Sequence, residues 1–324
     1  KEFADLPRGV YRALTFSPAG PVLGLQITRP VSPADIYVVQ IESGEVAKLT
    51  QGFLGGIPAA EMVEPEIVAF PSADGRQIPA FLYRPRGLAA GERAPVVLSV
   101  HGGPEAQERP MYAYNGLYQY LLNRGIGVLA TNIRGSTGYG KTYQKLIHRD
   151  AGGAELRDME HAARYLQSLP WVDADRLGVL GGSFGGFATL SCVARLPQYW
   201  AAAVDIVGPS NLITFAKAVP PAWKRMMRDW VGDPDDDAAM LRERSPITYV
   251  EDIRAPLLVI QGANDPRVVK PESDQMVERL RELGRTVEYM VFEDEGHGFT
   301  KTANTLKALK ATAEWLERYL GVGG

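Results

Sequence analysis

Cysteine is almost absent from this chain: Cys192 is the only one among 324 residues. A disulfide within the chain is therefore excluded, which is compatible with a reducing cytoplasm, the compartment we expect. Cys192 falls in an apolar helical pattern, so we predict that it is a packed core thiol rather than a reactive group.

The chain also lacks a large excess of charge of either sign, and it lacks long apolar runs. The chain has 35 lysines and arginines against 38 aspartates and glutamates, and without a basic stripe we expect no nucleic-acid partner. No run of about eighteen apolar residues occurs, so we expect no membrane-spanning segment. The opening residues, KEFADLPRGV, contain neither an initiating methionine nor an apolar signal core, and we expect the natural N-terminus to lie upstream.

Residues 10–50 contain short β-rich runs separated by turns. The runs read YRALTF, VLGLQIT, DIYVVQI and VAKLT. Four short strands in about forty residues are the size of one blade of a β-propeller, and the chain contains no second copy of them. A single blade cannot bury both of its faces, so we expect it to be a remnant of a larger array or a part that packs on another domain.

A stretch rich in glycine and proline, residues 51–66, marks a boundary. We therefore predict that residues 1–60 form the blade-like segment and its linker, and that residues 61–324 form a larger catalytic domain. The larger part begins with EIVAFPSADGRQIPAFLYRP, which predicts a hairpin with a turn at Asp74–Gly75.

Apolar strands and helical stretches then alternate to the end of the chain. The strands include APVVLSV, GIGVLATNI, RLGVLGG and APLLVIQG, and the helical stretches include residues 154–168 and 303–320. Continuously apolar strands that alternate with amphipathic helices predict an α/β fold, in which helices cover both faces of a mostly parallel sheet.

A serine between glycine pairs follows the strand RLGVLGG. Ser183 stands in GVLGGSFGGFATL, between a predicted strand and a predicted helix. The glycines do not have the G-x-G-x-x-G spacing of a dinucleotide loop, and no lysine is present for a phosphate loop. Gly181, Ser183 and Gly185 do fit G-x-S-x-G, the strained turn, called the nucleophile elbow, that exposes a nucleophilic serine. A glycine-rich turn with an incidental serine is the alternative, and the partners of Ser183 decide between the two.

A serine nucleophile needs a histidine to remove its proton and a carboxylate to hold that histidine. His297 follows the strand VEYMVF in a loop, where this fold can present a base at the carboxyl edge of the sheet. Asp265 follows PLLVIQG, and the order Ser183, Asp265, His297 is that of the α/β-hydrolase fold. The rival carboxylates are Asp205, on the strand beside the elbow, and Asp294, which is too near His297 in sequence.

The other three histidines fit other roles. His148 and His161 fall in helix-like stretches, and we predict that His161 is a surface or packing residue. His101 has no partner at metal-ligand spacing, so we predict a hydrogen-bonding role in its loop.

Charge that develops on a carbonyl oxygen during acyl transfer requires hydrogen-bond donors. The N–H of Phe184, directly after the nucleophile, is the first candidate. The loop after VVLSV supplies the second through Gly102 or Gly103, and we choose Gly103.

A set of motifs in this chain resembles the prolyl oligopeptidase family of serine peptidases, in particular its acylaminoacyl-peptidase-like branch. The motifs lie in the family's order and read HGGP (101–104), NIRGSTGYG (132–140), GGSFGGF (181–187), GDP (232–234), SPI (245–247), NDPRV and GHGF (296–299). The family more commonly has tyrosine after the serine, where this chain has Phe184, but the backbone donor is kept.

The resemblance implies an N-terminal β-propeller that shields the site and filters substrates by size. The first 60 residues resemble its last blade, and the other blades are missing here.

The resemblance also implies that Arg267 holds a substrate carbonyl near the scissile bond, although a surface ion pair is the alternative. The segment AWKRMMRDW is implied to line the S1 pocket, which binds the residue before the scissile bond (P1), although its helical spacing also fits a core face. Its pocket residues would be Trp223, Met226, Met227 and Trp230. Arg134 is expected to be structural.

We therefore predict an α/β-hydrolase-fold serine peptidase, of acylaminoacyl-peptidase or oligopeptidase type, that cleaves short peptides through an acyl-enzyme. Ser183 attacks, His297 moves the proton, Asp265 orients His297, and the Gly103 and Phe184 N–H groups stabilise the oxyanion. No metal and no organic cofactor is expected. Two alternatives stay open: a carboxylesterase of the same fold, and a catalytically silent binding module. The expected partners are short peptides and a propeller segment, and a homo-oligomer stays open.

Overall fold

The computed structural model describes residues 2–322, and within this range twelve strands form two sheets. Residue 1 and residues 323–324, the outer ends of the two predicted domains, lie outside the described residues. The strands are β1 (Val10–Phe16), β2 (Val22–Arg29), β3 (Ser32–Gln40), β4 (Val46–Lys48), β5 (Glu66–Pro71), β6 (Gln77–Tyr83), β7 (Ala94–Val100), β8 (Gly127–Thr131), β9 (Val172–Gly182), β10 (Ala202–Ile206), β11 (Leu257–Gly262) and β12 (Val287–Phe292).

The small sheet contains the four strands predicted for residues 10–50, in the order β1-β2-β3-β4. All its pairings are antiparallel and join neighbours in the chain. Alternate side chains of β2 and β3 point to one face, and their buried members form a small core. That core consists of Leu25, Ile27, Tyr37 and Val39. Strand β4 is shorter than its predicted run VAKLT.

The large sheet has eight strands in the order β12-β11-β10-β9-β7-β8-β6-β5. The six strands from β12 to β8 in this order pair in parallel, so their carboxyl ends lie at one edge. The predicted hairpin β5–β6 joins β8 antiparallel and turns at Asp74–Gly75. Strands β7 and β11 are buried at every position, as expected of a sheet covered on both faces.

Helices cover both faces of the large sheet. Within the described range they are α1 (Leu117–Asn123), α2 (Lys141–Lys145), α3 (Ala154–Ser168), α4 (Phe184–Arg195), α5 (Leu212–Ala218), α6 (Lys224–Trp230), α7 (Ala238–Arg244), α8 (Pro271–Glu282) and α9 (Thr302–Leu320). Buried side chains of α3, α4 and α8 form one apolar cluster with the sheet, and those of α1 and α9 form another with its opposite face. This architecture is the α/β-hydrolase fold, as predicted. None of the helices described here has the length and apolar character needed to span a bilayer.

Two predictions about single residues have different outcomes. Cys192 is buried in α4, with its Sγ 3.5 Å from Met159 Sδ, and burial raises its pKa. Its predicted core position is therefore confirmed. His148 does not lie in a helix: α2 ends at Lys145 and His148 falls in the turns that follow.

The Gln119 side chain of α1 joins the small sheet to the large one. Its Nε2 donates to Pro30 O at 3.0 Å and to Val63 O at 2.9 Å, and its Oε1 accepts the Val63 N–H at 2.9 Å. An ion pair between Arg29 and Glu64, 2.7 Å long, lies in the same region. One amide therefore links the β2–β3 turn, the connecting segment and the large sheet's helical layer.

Candidate active site

Ser183 lies at the turn between β9 and α4, at the carboxyl edge of the large sheet. Its φ of +58° and ψ of −118° are rare for residues other than glycine. The Ser183 N–H donates to Ile206 O at 2.8 Å, which holds the turn to the neighbouring strand. The Ser183 hydroxyl makes no capping bond to α4. It is therefore free to contact a residue from another part of the chain.

Glycine is required beside Ser183 because α4 packs directly on the strand ends. A Cβ at Gly181 would collide with the backbone of Gly185, and a Cβ at Gly185 would collide with Val100 O. The G-x-S-x-G spacing thus reflects close packing between helix and strand, which a merely flexible loop would not need.

Ser183, His297 and Asp265 form one hydrogen-bonded chain. Ser183 Oγ lies 2.8 Å from His297 Nε2, and His297 Nδ1 lies 2.6 Å from Asp265 Oδ2. An ionised carboxylate can only accept, so Nδ1 carries the proton and Nε2 can accept one from the serine. The Asp265 side chain is 0% exposed and that of His297 15% exposed, so water competes little for these bonds.

Backbone donors fix the orientation of Asp265. Its Oδ1 accepts the N–H of Arg267 at 2.8 Å and the N–H of Val268 at 3.0 Å. These bonds leave Oδ2 for His297, so the carboxylate needs no rearrangement to hold the imidazole.

Glu295, which no sequence motif singled out, fixes the loop that carries His297. Its carboxylate accepts the Thr300 N–H at 3.0 Å, the Lys301 N–H at 2.9 Å and the Asn304 amide at 2.9 Å. These donors, Thr300 first, lower the pKa of Glu295 to about 2. A carboxylate shortly before a predicted helix was the signal that could have identified this role.

The rival carboxylates have other partners. Asp205 is buried beneath the elbow, where its Oδ1 accepts the Gly208 N–H at 3.0 Å, and burial raises its pKa well above the usual value. Asp294 pairs with Lys301. Of these carboxylates and Asp265, only Asp265 bonds to His297 within residues 2–322.

The turn after β7 approaches the elbow closely. A Cβ on Gly102 would lie only 2.9 Å from Gly182 O and 3.3 Å from Ser183 Cβ. Gly103 and Phe184, the predicted oxyanion donors, both line the cavity that opens at Ser183. The geometry therefore brings both residues to the nucleophile.

His101 holds this turn from behind. Its Nδ1 donates to Gly102 O at 2.7 Å, and its Nε2 lies 2.8 Å from Ser136 Oγ. Burial lowers the pKa of His101, which favours the neutral ring. Its contacts are those of the hydrogen-bonding role predicted for it.

An apolar cavity of about 420 Å³ opens beside Ser183 and His297. All five residues predicted for substrate binding line it, namely Trp223, Met226, Met227, Trp230 and Arg267. Its other apolar lining residues include Ile147, Ala151, Phe187, Val207, Leu212, Phe215 and Val231. No aspartate or glutamate of the described chain belongs to this lining. Such a cavity is suited to a large uncharged group.

Arg267 connects the cavity to the loop of Asp265. Its guanidinium lies over the indole of Trp223, 5.6 Å from the ring centre. Arg267 makes no ion pair with any residue in the range 2–322, so the alternative of a surface ion pair has no partner there. The guanidinium N–H groups are available to a carbonyl oxygen.

Two further residues occupy structural positions. Arg134 pairs with Asp158 of α3 at 2.6 Å and with Asp74 of the β5–β6 turn at 3.2 Å, in keeping with its expected structural role. His161 on α3 has its Nδ1 2.9 Å from Pro71 O.

Fold and geometry together define a class of protein: an α/β-hydrolase chain whose serine, aspartate and histidine have the chain order and the contacts found in serine hydrolases. The family model described as the prolyl oligopeptidase family, peptidase S9, matches residues 112–323. The chain therefore belongs to the prolyl oligopeptidase family, as the sequence motifs predicted.

Individual relatives agree with this assignment. Dipeptidyl aminopeptidase BIII of Pseudoxanthomonas mexicana is 41% identical over 304 residues, which cover 90% of this chain and 43% of the relative. Dipeptidyl peptidase family member 6 of Caenorhabditis elegans is 36% identical over 245 residues, covering 74% and 33%. A puromycin-hydrolyzing peptidase of Mycobacterium tuberculosis has a similar structure, with a TM-score of 0.84 and 29% identity, covering 93% of this chain and 47% of that one. The chain spans less than half the length of these relatives.

Proposed function

We propose that this chain is the catalytic part of a serine peptidase that hydrolyses short peptides. Ser183 is the nucleophile, His297 the general base and Asp265 the acid that orients it. The observation that carries the proposal is the chain of hydrogen bonds from Ser183 Oγ through His297 to Asp265, 2.8 and 2.6 Å long. Membership of a peptidase family supports a peptide bond, rather than an ester, as the target.

Acylation begins when Ser183 Oγ attacks the carbonyl carbon of the scissile bond while its proton passes to His297 Nε2. Asp265 stabilises the imidazolium through the Nδ1–H. The carbonyl oxygen becomes an anion, which accepts hydrogen bonds from the Gly103 and Phe184 N–H groups. His297 then gives its proton to the leaving amine, the C–N bond breaks, and an acyl ester remains on Ser183.

Deacylation repeats these steps with water in place of serine. His297 Nε2 removes a proton from water, whose oxygen attacks the ester carbonyl. The proton then returns to Ser183 Oγ as the C–O bond breaks and the acid product leaves.

The apolar cavity serves as the S1 pocket. Aromatic rings and methionine side chains there favour a large apolar P1 residue over a charged one, because no carboxylate is present to pair with lysine. Arg267 donates to the carbonyl of the residue before P1 and so fixes the register of the peptide.

Replacement of the nucleophile tests the proposal. Ser183→Ala removes the attacking oxygen, and we expect kcat/KM for a peptide with phenylalanine at P1 to fall by about 10⁴- to 10⁶-fold. Fluorophosphonate labelling should also be lost, while the parent enzyme should be labelled and should prefer phenylalanine to lysine at P1.

Ser168→Ala is the matched control, because Ser168 is exposed at the end of α3 and its hydroxyl donates to Tyr165 O at 2.7 Å, within its own helix. This control should keep both labelling and turnover. Hydrolysis by purified Ser183→Ala at a rate near that of the parent would contradict the assignment.

A further inference from the structure

Residues 147–149 lie between α6 and the turn after β7, which contains Gly102, Gly103 and Glu105 and is called the oxyanion turn below, and they contact both. Ile147 lines the apolar cavity, and Arg149 N–H donates to Trp230 O at 2.6 Å. Between them, His148 Nε2 lies 2.5 Å from Glu105 Oε1. The segment thus bridges two walls of the proposed active site.

The bond to Glu105 acts on the oxyanion turn. Glu105 follows Gly103 by two residues, and a Cβ at Gly103 would lie 2.9 Å from the Glu105 nitrogen, so the backbones of the two residues pack directly on each other. The second oxygen of Glu105 accepts the Gln144 amide at 2.5 Å. Because a carboxylate can only accept, the bond places a proton on His148 Nε2. Glu105 and His148 side chains are 15% and 25% exposed, so water competes only in part.

The imidazole of His148 acts on the cavity through a different contact. It stacks on the indole of Trp230, with ring centres 5.5 Å apart and an angle of 25° between the planes. Trp230 lines the cavity together with Met226 and Met227. A side chain large enough to fill this cavity would therefore touch a ring that is itself stacked on His148.

We propose that His148 is a positioning residue that couples occupation of the S1 cavity to the geometry of the oxyanion turn. The inference rests on the proposed function. His148 touches no reacting atom: it acts on Gly103 through Glu105 and on the substrate through Trp230. Because one contact is a hydrogen bond and the other a ring contact, the two can be removed separately.

Two substitutions separate them. His148→Phe keeps an aromatic face for Trp230 but cannot donate to Glu105, and His148→Gln keeps an N–H donor but has no ring. Each is assayed with an acyl-dipeptide that has phenylalanine at P1 and with p-nitrophenyl acetate, whose acyl group is too small to fill the cavity.

We expect His148→Phe to lower kcat by about 10- to 100-fold for both substrates with little change in KM, because both reactions need the oxyanion donors. We expect His148→Gln to raise KM for the peptide by about 10-fold while kcat for the acetate ester stays within about 2-fold. His161→Ala is the control: its ring contacts Pro71 O, away from the cavity, and both substrates should be hydrolysed as by the parent.

A double substitution provides a second measurement. Glu105→Ala breaks the same hydrogen bond as His148→Phe, together with the bond from Gln144, so the combined variant should lose no more than about 2-fold beyond the larger single loss. If His148→Phe does not fold, as judged by circular dichroism, the bond is tested from the other side: kcat should fall further in Glu105→Ala than in Gln144→Ala, which loses only the second bond.

The coupling would be overturned if His148→Phe and His148→Gln changed kcat and KM in the same way. It would also be overturned if the losses of the two single variants multiplied in the double variant. Either result would leave the proposed function intact. A parent enzyme that neither hydrolyses the peptide nor takes up the fluorophosphonate would overturn both proposals.

Discussion

The two sheets bury their side chains in different ways. The small sheet has a core of four side chains, and six of the seven residues of β1 are exposed. In the large sheet, every residue of β7 is buried. An antiparallel sheet packed on one face alternates between buried and exposed positions, whereas a parallel sheet between two helical layers does not. The large sheet therefore has a complete core of its own, and the small sheet depends on what packs against it.

The cavity beside Ser183 belongs to the large sheet alone. All its lining residues fall between Gly103 and His297, at the carboxyl ends of strands of the large sheet and on its connections, and the described part of the small sheet contributes none. Stability of the small sheet and chemistry at the cavity should therefore be separable by substitution.

The largest expected effect on stability comes from a comparison of one fully buried residue from each sheet. Leu98 of β7 and Ile27 of β2 are both 0% exposed. Leu98→Ala should lower the free energy of unfolding by about 3–5 kcal/mol, and Ile27→Ala by about 2–3 kcal/mol, because the smaller core around Ile27 can relax more easily. Urea denaturation followed by circular dichroism measures both values.

Activity measured on the same variants sharpens this comparison. Ile27→Ala should keep kcat/KM at temperatures below its transition, and Leu49→Ala, at a position 61% exposed, should change neither property. Loss of activity in folded Ile27→Ala would show that the two sheets are not separable.

The next effect is the pH dependence of stability that arises from a buried carboxyl group. Glu155, in the first turn of α3, is 0% exposed, and burial raises its pKa to about 7. The native state then binds this proton more tightly than the unfolded state does. The stabilising contribution is therefore complete below the unfolded pKa of 4.5 and is lost as the pH rises to about 7. In the small sheet, the buried Asp35 has instead a lysine partner, with Lys48 Nζ at 2.6 Å.

Glu155→Gln removes this titration. The loss of unfolding free energy between pH 5 and pH 8 should shrink by up to about 3 kcal/mol relative to the parent. Urea denaturation at the two pH values measures it, with Glu278→Gln, on the exposed side of α8, as the control. An unchanged difference between the two pH values would show that Glu155 does not titrate in this range.

The smallest expected effect is on peptide recognition by Arg267, which lies on a connection of the large sheet. Arg267→Ala removes the donor proposed for the carbonyl before P1, so kcat/KM for an acyl-dipeptide should fall by about 10- to 100-fold. Hydrolysis of p-nitrophenyl acetate, which has no such carbonyl, should change much less. Arg254→Ala, at an exposed position before β11, is the control. Equal losses on both substrates would make Arg267 a scaffold residue and weaken the peptidase proposal in favour of an esterase.

Much of this fold could be predicted because its signals are local. RLGVLGG is an apolar run that ends in glycines and forms the second part of β9, which begins four residues earlier at Val172. APLLVIQG contains all of β11. The elbow at Ser183 could be predicted because close packing of α4 on the strand ends excludes side chains at Gly181 and Gly185. The placement of Asp265 and His297 after neighbouring strands followed from chain order.

The contacts of His148 could not be predicted, because no local sequence signal indicates them. Its stretch, YQKLIHRD, is typical of a helix surface, and nothing local indicates that Glu105, 43 residues away, would bind the ring. The helix ends at Lys145, and His148 beyond it contacts Glu105 and Trp230 through its side chain. Residues of this kind are fixed by tertiary contacts, which periodicity does not report.

The order of strands in the two sheets also has a consequence for how the chain folds. β1–β4 pair only with their neighbours in sequence, so each pairing closes a short loop at little entropic cost. In the large sheet β9 lies between β7 and β10, and β6 pairs with β8, so long stretches of chain must be ordered before those contacts stabilise anything. We therefore expect hairpins of the small sheet to form early but weakly, and to become stable only when α1 is in place and Gln119 can bond to Pro30 and Val63. Formation of that amide junction would then mark a late step of folding.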